Sequence, residues 1–307
     1  MKRISVWPVL LLLLGLGGCF SLKDRQPLSL PAPDISKAQN LAGQKLQNFQ
    51  EKKDTAAQLP AVLGGVISSE RWVIYKDKEQ EEFEGNVSYD NGTYLFRAQY
   101  ALSERKKNLF TAKKQVYARK NETDGSYYEL YADKAVYNYS TADGSATANK
   151  GKKIKLVYHD PKGTLVTALA QKADFNIKQK VYHLSGEVLV THQDPLGKIS
   201  TLKADKISAD QTNNRAFLQG NAVVENADYR LQSQTIEYDG TLQMAYAYGN
   251  RPLASGKTPD GTFAIIADKV SAETDSRKIK LSGQVQGWVI SDQINNSKAN
   301  ESLNTNF

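Results

Sequence analysis

The sequence predicts an all-β protein, elongated and built from repeated hairpins, and three observations carry that expectation. The first is alternation. In the stretch Ala204 to Glu225, Ile207 and Ala209 alternate with Lys206, Ser208 and Asp210, and after Gln211–Asn214 the pattern resumes through Ala216, Leu218, Gly220, Ala222 and Val224. Period-two alternation places one side of a strand in an apolar layer and the other in water, and a polar Thr-Asn-Asn tip between two such runs reads as a hairpin loop. The second is recurrence. Sixteen residues separate Ala204 from Gly220, Ala267 from Gly283, Ala170 from Gly186, Ser233 from Gly249 and Ser69 from Gly85. Ala132 opens a copy with a longer loop before Gly151, and Lys114 stands at the Gly position of a copy that starts at Ala98. The landmarks at 85, 114, 151, 186, 220, 249 and 283 are separated by steps of 29, 37, 35, 34, 29 and 34 residues. A recurrence of roughly 20 to 50 residues marks a stacked architecture, because no single hairpin buries its apolar side alone. The third is composition: Tyr is abundant (16) and Met scarce (2), which favours strands.

At 307 residues the chain is long enough for one large β domain or two smaller ones. Hydrophobic residues make up 40% and the mean hydropathy is −0.53, lean for a thick core and suited to a thin sheet structure with much exposed surface. The net charge of +7 suits an anionic partner such as a phosphorylated lipid, a membrane surface or nucleic acid. The short basic runs Lys106-Lys107, Lys113-Lys114 and Lys150–Lys153 read first as a solvated face.

Residues 1–18 have the form of a lipoprotein signal peptide: Lys2 and Arg3, then the apolar run Ile4–Leu16, too short for a comfortable membrane span. The run ends in Leu16-Gly17-Gly18-Cys19, which resembles a bacterial lipobox and implies cleavage before Cys19 and lipid attachment there. Cys19 is the only cysteine, so no disulfide framework exists. Residues 19–60 supply the anchor, a tether kept extended by Pro27, Pro31 and Pro33, and a short helix capped by Asp34 with Ile35, Ala38, Leu41, Ala42, Leu46 and Phe49 at roughly helical spacing. Residues 61–290 hold the repeats. The polar, Asn-rich tail 291–307 reads as disordered.

The alternation nominates an apolar side: Trp72, Ile74, Phe83, Val87, Phe175, Leu184, Val188, Ile207, Leu218, Ile236, Val270 and Leu281. No catalytic constellation stands out. His159, His183 and His192 lie in no metal-ligand spacing, Gly151-Lys152-Lys153 lacks the hydroxyl and upstream Gly of a phosphate loop, and Glu81, Glu82 and Glu84 read as a charged strand. The expectation is a protein that is not an enzyme and takes no cofactor or metal.

The segments ADKISADQTNNRAFLQGNAVVE, ADKVSAETDSRKIKLSGQVQGW and ERWVIYKDKEQEEFEGNVSY, together with the lipobox, resemble the periplasmic lipopolysaccharide-transport proteins of the OstA-like type, which include LptA and LptC. The resemblance covers most of residues 69–288. It implies a twisted, partly open β-jellyroll, two sheets folded into a V with an apolar interior. The length allows two OstA-like modules, about 61–160 and 161–290, or one long one, and a lipid anchor stands where enterobacterial LptC has a transmembrane helix. Whether the chain fills the LptC or the LptA role stays open. The implied function is that of a periplasm-facing lipoprotein of the cell envelope that covers lipopolysaccharide acyl chains, at roughly 0.8 kcal/mol per buried CH₂. Its implied partners are lipopolysaccharide or a related glycolipid, other OstA-like proteins docked through edge strands, and the membrane through the anchor, but not nucleic acid. The nominated apolar residues would line the interior.

Two other classes remain in view. One is a structural lipoprotein, a β-solenoid stalk or adhesin. The uneven steps and the large residues Trp72, Phe83 and Tyr182 speak against it. The other is a carbohydrate-active β-helix enzyme, which would gather acids on one face.

Overall fold

The computed structural model describes residues 65–258, 261–273 and 278–291. Cys19, the tether, the expected N-terminal helix and the tail beyond residue 291 lie outside the described residues. Within them the chain is all-β, as expected, with one 3-10 turn at Arg105–Lys107.

Strands β1 (Val66–Ser68) and β2 (Arg71–Tyr75) both pair with β3 (Gln80–Asp90), and β4 (Tyr94–Glu104) and β5 (Leu109–Asn121) follow in antiparallel order. Beyond them, β6 (Tyr127–Asn138) divides its far edge between β7 (Asp143–Thr147) and β8 (Ile154–His159). These lead to β10 (Lys172–Asn176) and β9 (Leu165–Ala170), and β11 (Val181–Gln193) pairs with both. Next come β12 (Ile199–Asp210), β13 (Arg215–Asn226) and β14 (Tyr229–Asp239). β14 divides again, one side running through β15 (Met244–Tyr248), β18 (Lys269–Glu273) and β19 (Ile279–Ser282). The other side runs through β16 (Leu253–Thr258), β17 (Gly261–Ile266) and β20 (Gln286–Ser291). Pairing crosses residue 160 within the β8–β9 hairpin.

The long strands are each broken at mid-length by a bulge in which two residues face one. Gly85-Asn86 stands opposite Gln99, Lys114-Gln115 opposite Asp133, Gly186-Glu187 opposite Asp205 and Gly220-Asn221 opposite Gln234. Both residues of every such pair have positive φ. A bulge bends its strand and increases the local twist. Aligned from strand to strand, the bulges form a seam that divides the sheet into two walls. The landmarks at 85, 114, 186 and 220 are these bulges, and Gly249 and Gly283 directly follow the ends of β15 and β19.

The landmark read at Gly151 is corrected by the structure. The equivalent position is Ala148, whose neighbour Asn149 donates its backbone N–H to Asp133 Oδ2 at 2.7 Å, as Gln284 does to Asp268 Oδ2 at 2.9 Å. Gly151 lies in the turn that carries the chain from β7 in one wall to β8 in the other, and that crossing is the extra length noticed in the copy.

Cross-strand register then sets the interior. In the first wall one row of directly paired residues runs Trp72, Phe83, Ala101, Ala112, Ala135, Ala146, Ala173, Leu184, Ile207, Leu218, Ile236, Ala247, Val270 and Leu281. In the second wall the matching row runs from Ile67 through Tyr89, Phe96, Ala118, Leu130, Leu156, Ala168, Val190, Leu202, Val224, Leu231 and Ala254 to Ile265. Neighbouring strands lie about 4.8 Å apart, so the stack is roughly 60 Å long. Residues of both rows join one buried cluster, so the walls face each other across a shared apolar layer. Tyr182, Ile154, Leu184, Val166, Val188 and Val190 are fully buried in its middle.

Candidate functional site

The apolar layer is not filled evenly. The first wall contributes only alanine at Ala101, Ala112, Ala135 and Ala146, and the short side chains leave room near the N-terminal edge. There a cavity of about 230 Å³ lies between Phe83, Phe110, Tyr137 and Phe175 of the first wall and Ile67, Tyr89, Phe96, Ala118 and Leu130 of the second. Phe96 and Phe110 meet edge to face across it, with centroids 5.5 Å apart and planes at 73°. Phe83 continues outward to Trp72, centroids 5.1 Å apart. Such contacts hold large aromatic side chains in place while keeping the lining apolar.

Polar groups sit at the margin of this cavity. Lys120 lines it with its side chain nearly buried and pairs with Glu122 at 2.5 Å. Arg119 places its guanidinium 4.0 Å from the centre of the Tyr127 ring. A buried ammonium is tolerated only when paired, so Lys120 and Glu122 hold each other in place. Burial first, and the neighbouring Tyr158 second, push the Tyr128 hydroxyl well above the ordinary phenol range. Burial likewise pushes Tyr139 up to about 12. Both phenols are therefore neutral hydrogen-bond donors at any physiological pH.

Tyr128 stacks on Tyr158, centroids 4.8 Å apart, and the packed middle begins here. Beyond it a second cavity of about 180 Å³ lies among Leu202, Val224, Leu231, Phe263, Val270 and Ile279. His192 and Ser200 reach its wall, and the buried His192 Nε2 has no hydrogen-bond partner. Burial pushes the His192 imidazole below its usual value, while Asp194 and Asp160 pull weakly the other way. Among the described residues no group of three His, Cys, Asp or Glu side chains is placed to hold a metal.

The nominated residues divide into three groups. Phe83, Val87 and Phe175 line the N-terminal cavity, and Val270 lines the C-terminal one. Leu184, Val188, Ile207, Leu218 and Ile236 are buried in the packed middle, and Leu281 packs against that cluster. Trp72 and Ile74 are exposed, at 52% and 57%, on edge strand β2. Cys19 lies outside the described residues. Sequence reasoning missed Phe96, Phe110, Leu130 and Phe263. Phe96 lies just before, and Phe110 within, the copy whose Gly is replaced by Lys114, and the weak signal there hid them.

The fold and the two cavities define a two-walled apolar receptacle. No known protein family matches the chain, and no curated protein does. Among solved structures the chain is similar to LptH, the LptA homologous periplasmic component of the lipopolysaccharide transport device from Pseudomonas aeruginosa. The likeness is 14% in identity, covers 41% of this chain and 94% of that one, and has a TM-score of 0.34.

Proposed function

We propose that the chain is a lipid-anchored periplasmic binding protein that covers the acyl chains of lipopolysaccharide or a related glycolipid and passes them toward the outer membrane as part of a bridge. It does no chemistry on its cargo. The observation that carries this reading is the N-terminal cavity: an apolar chamber between two walls, rimmed by Lys120 and Arg119, and reaching the edge strand at Ile67. An amphiphile with apolar chains and phosphates meets both kinds of surface there. The lipobox ending in Cys19 fits a protein held at a membrane while its walls stand in the periplasm.

The dimensions set a condition. A cavity of roughly 150 Å³ holds one benzene-sized group, so chambers of about 230 and 180 Å³ take part of an acyl chain each. A whole lipid needs the walls to part along their loop ends.

The packed middle favours a second reading, a structural envelope lipoprotein without transport. A photocrosslinking residue at Phe96, inside the chamber, and another at Lys203, on the outer face, separate the two in living cells. Adducts that react with an antibody to lipopolysaccharide at position 96 and not at 203 support the lipid reading. Adducts at neither position leave the structural lipoprotein.

A further inference from the structure

On the outer face of the second wall, beside the seam, Asn86, Arg97, Gln99, Gln115, Tyr117 and Tyr131 surround a groove of about 670 Å³. We propose that this groove binds an acidic oligosaccharide. The inference does not rest on the lipid reading, because these side chains point away from the apolar layer.

Tyr117 and Tyr131 form the floor, with centroids 5.1 Å apart and planes inclined at 50°. Their hydroxyls both donate to Glu129, at 2.8 and 2.9 Å, so each ring is held at its polar tip; Tyr117 is half-buried and Tyr131 exposed, with Lys155 Nζ 5.7 Å from the Tyr131 ring centre. An aromatic face held this way receives the C–H side of a pyranose ring at small entropic cost. The flank is a row of amides. Gln99 Nε2 donates to Asn86 Oδ1 at 3.4 Å and to Gln115 Oε1 at 3.5 Å. That arrangement leaves the Gln115 amide nitrogen as a donor and the Gln99 carbonyl as an acceptor for sugar hydroxyls. Arg97 is exposed and makes no ion pair among the described residues, although Arg105, Arg119, Arg215 and Arg230 all do. An unpaired guanidinium over a polar groove matches a carboxylate, which it takes in a two-point contact.

Calorimetric titration of the full-length protein in detergent micelles tests the proposal, with trigalacturonate as the acidic probe and maltotriose as its neutral counterpart. Trigalacturonate should bind at least about tenfold more tightly than maltotriose, and Arg97→Gln and Tyr131→Ala should each weaken it about tenfold. Lys203→Gln, on the same outer face but far along the stack, should leave the affinity unchanged. Circular dichroism verifies that the variants keep their sheet, and Arg97→Gln, which alters an exposed side chain alone, carries the test if Tyr131→Ala does not fold. Absence of binding, equal binding of the two sugars, or an equal loss in Lys203→Gln overturns the proposal. The last outcome would assign the affinity to the overall positive charge.

Discussion

The carboxylate of Asp205 lies over Gly220 so closely that a Cβ on Gly220 would sit 2.2 Å from Asp205 Oδ2. Gly220 also has φ of +76°, where a side chain is strained whatever the space. The neighbouring Asn221 reaches back to donate from Nδ2 to the same carboxylate, at 3.2 Å to Oδ2. Asp205 and Gly220 meet across neighbouring strands at the seam, and the same close approach recurs at Glu70 with Gly85, Gln171 with Gly186, Gln234 with Gly249 and Asp268 with Gly283. Gly220→Ala should therefore cost about 1–3 kcal/mol. Asp205→Ala in the same chain should recover part of that loss, leaving the φ penalty. Urea unfolding of the two single variants and the double variant measures the coupling, and strict additivity would mean that the clash is not what fixes Gly220.

A second prediction separates core from cavity. Leu184 is buried in the packed middle, while Phe96 lines the chamber. Leu184→Ala should lower stability by about 2–5 kcal/mol, as removal of a buried leucine side chain does. It should leave lipid adducts at position 96 in place under native conditions. If the adducts disappear in a variant whose sheet is intact, the middle takes part in binding.

Much of this was legible in the sequence because a strand reports its faces with period two. Trp72, Phe83, Leu184, Ile207, Leu218, Ile236, Val270 and Leu281 were nominated from alternation alone and occupy one cross-strand row. The glycine landmarks at 85, 186, 220, 249 and 283 were legible because a close neighbour lies over each of these glycines. The division of that row into a chamber and a packed middle was not legible. It depends on which residues stand opposite across the gap, Ala112 and Ala146 leaving space and Tyr182 filling it, and alternation within a strand is silent about the facing wall.

The third prediction concerns acid. His192 is 5% exposed, and burial lowers its proton affinity in the folded chain below the ordinary value of 6.5. The unfolded chain takes up the proton from about pH 6.5 downward while the folded chain resists it. Unfolding thus binds protons, and stability falls as pH drops through that window, levelling off below the folded value. Asp194 and Asp160 facing the ring reduce the effect. Asp210 and Asp239, whose carboxyls are held below 3.8, lose their contribution only in a lower, separate window. Urea unfolding at about pH 7.5 and about pH 5.5 should show the loss in the wild type and a flatter profile in His192→Leu. Equal slopes would clear His192 of any part in it.

The last prediction concerns assembly. Strand β20 pairs only with β17, and β19 only with β18, so at this end a row of backbone N–H and C=O groups has no neighbouring strand among the described residues. The end is also greasy: Trp288, Val289 and Ile290 are 59%, 70% and 61% exposed. The opposite end has the same character, with β1 and β2 paired only to β3 and with Val66, Trp72 and Ile74 exposed. Edges of this kind accept a further strand, and proteins that do not use them usually shield them with charge, proline or short length. Photocrosslinkers at Gln286 and Val289 should capture a second β module in living cells, either another copy of this chain or a separate bridge protein. Val289→Lys should reduce capture by placing an ammonium in the joint. Capture confined to Trp72 and Ile74 would reverse the polarity, making β2 the docking edge. Silence at both ends would leave a receptacle that works alone.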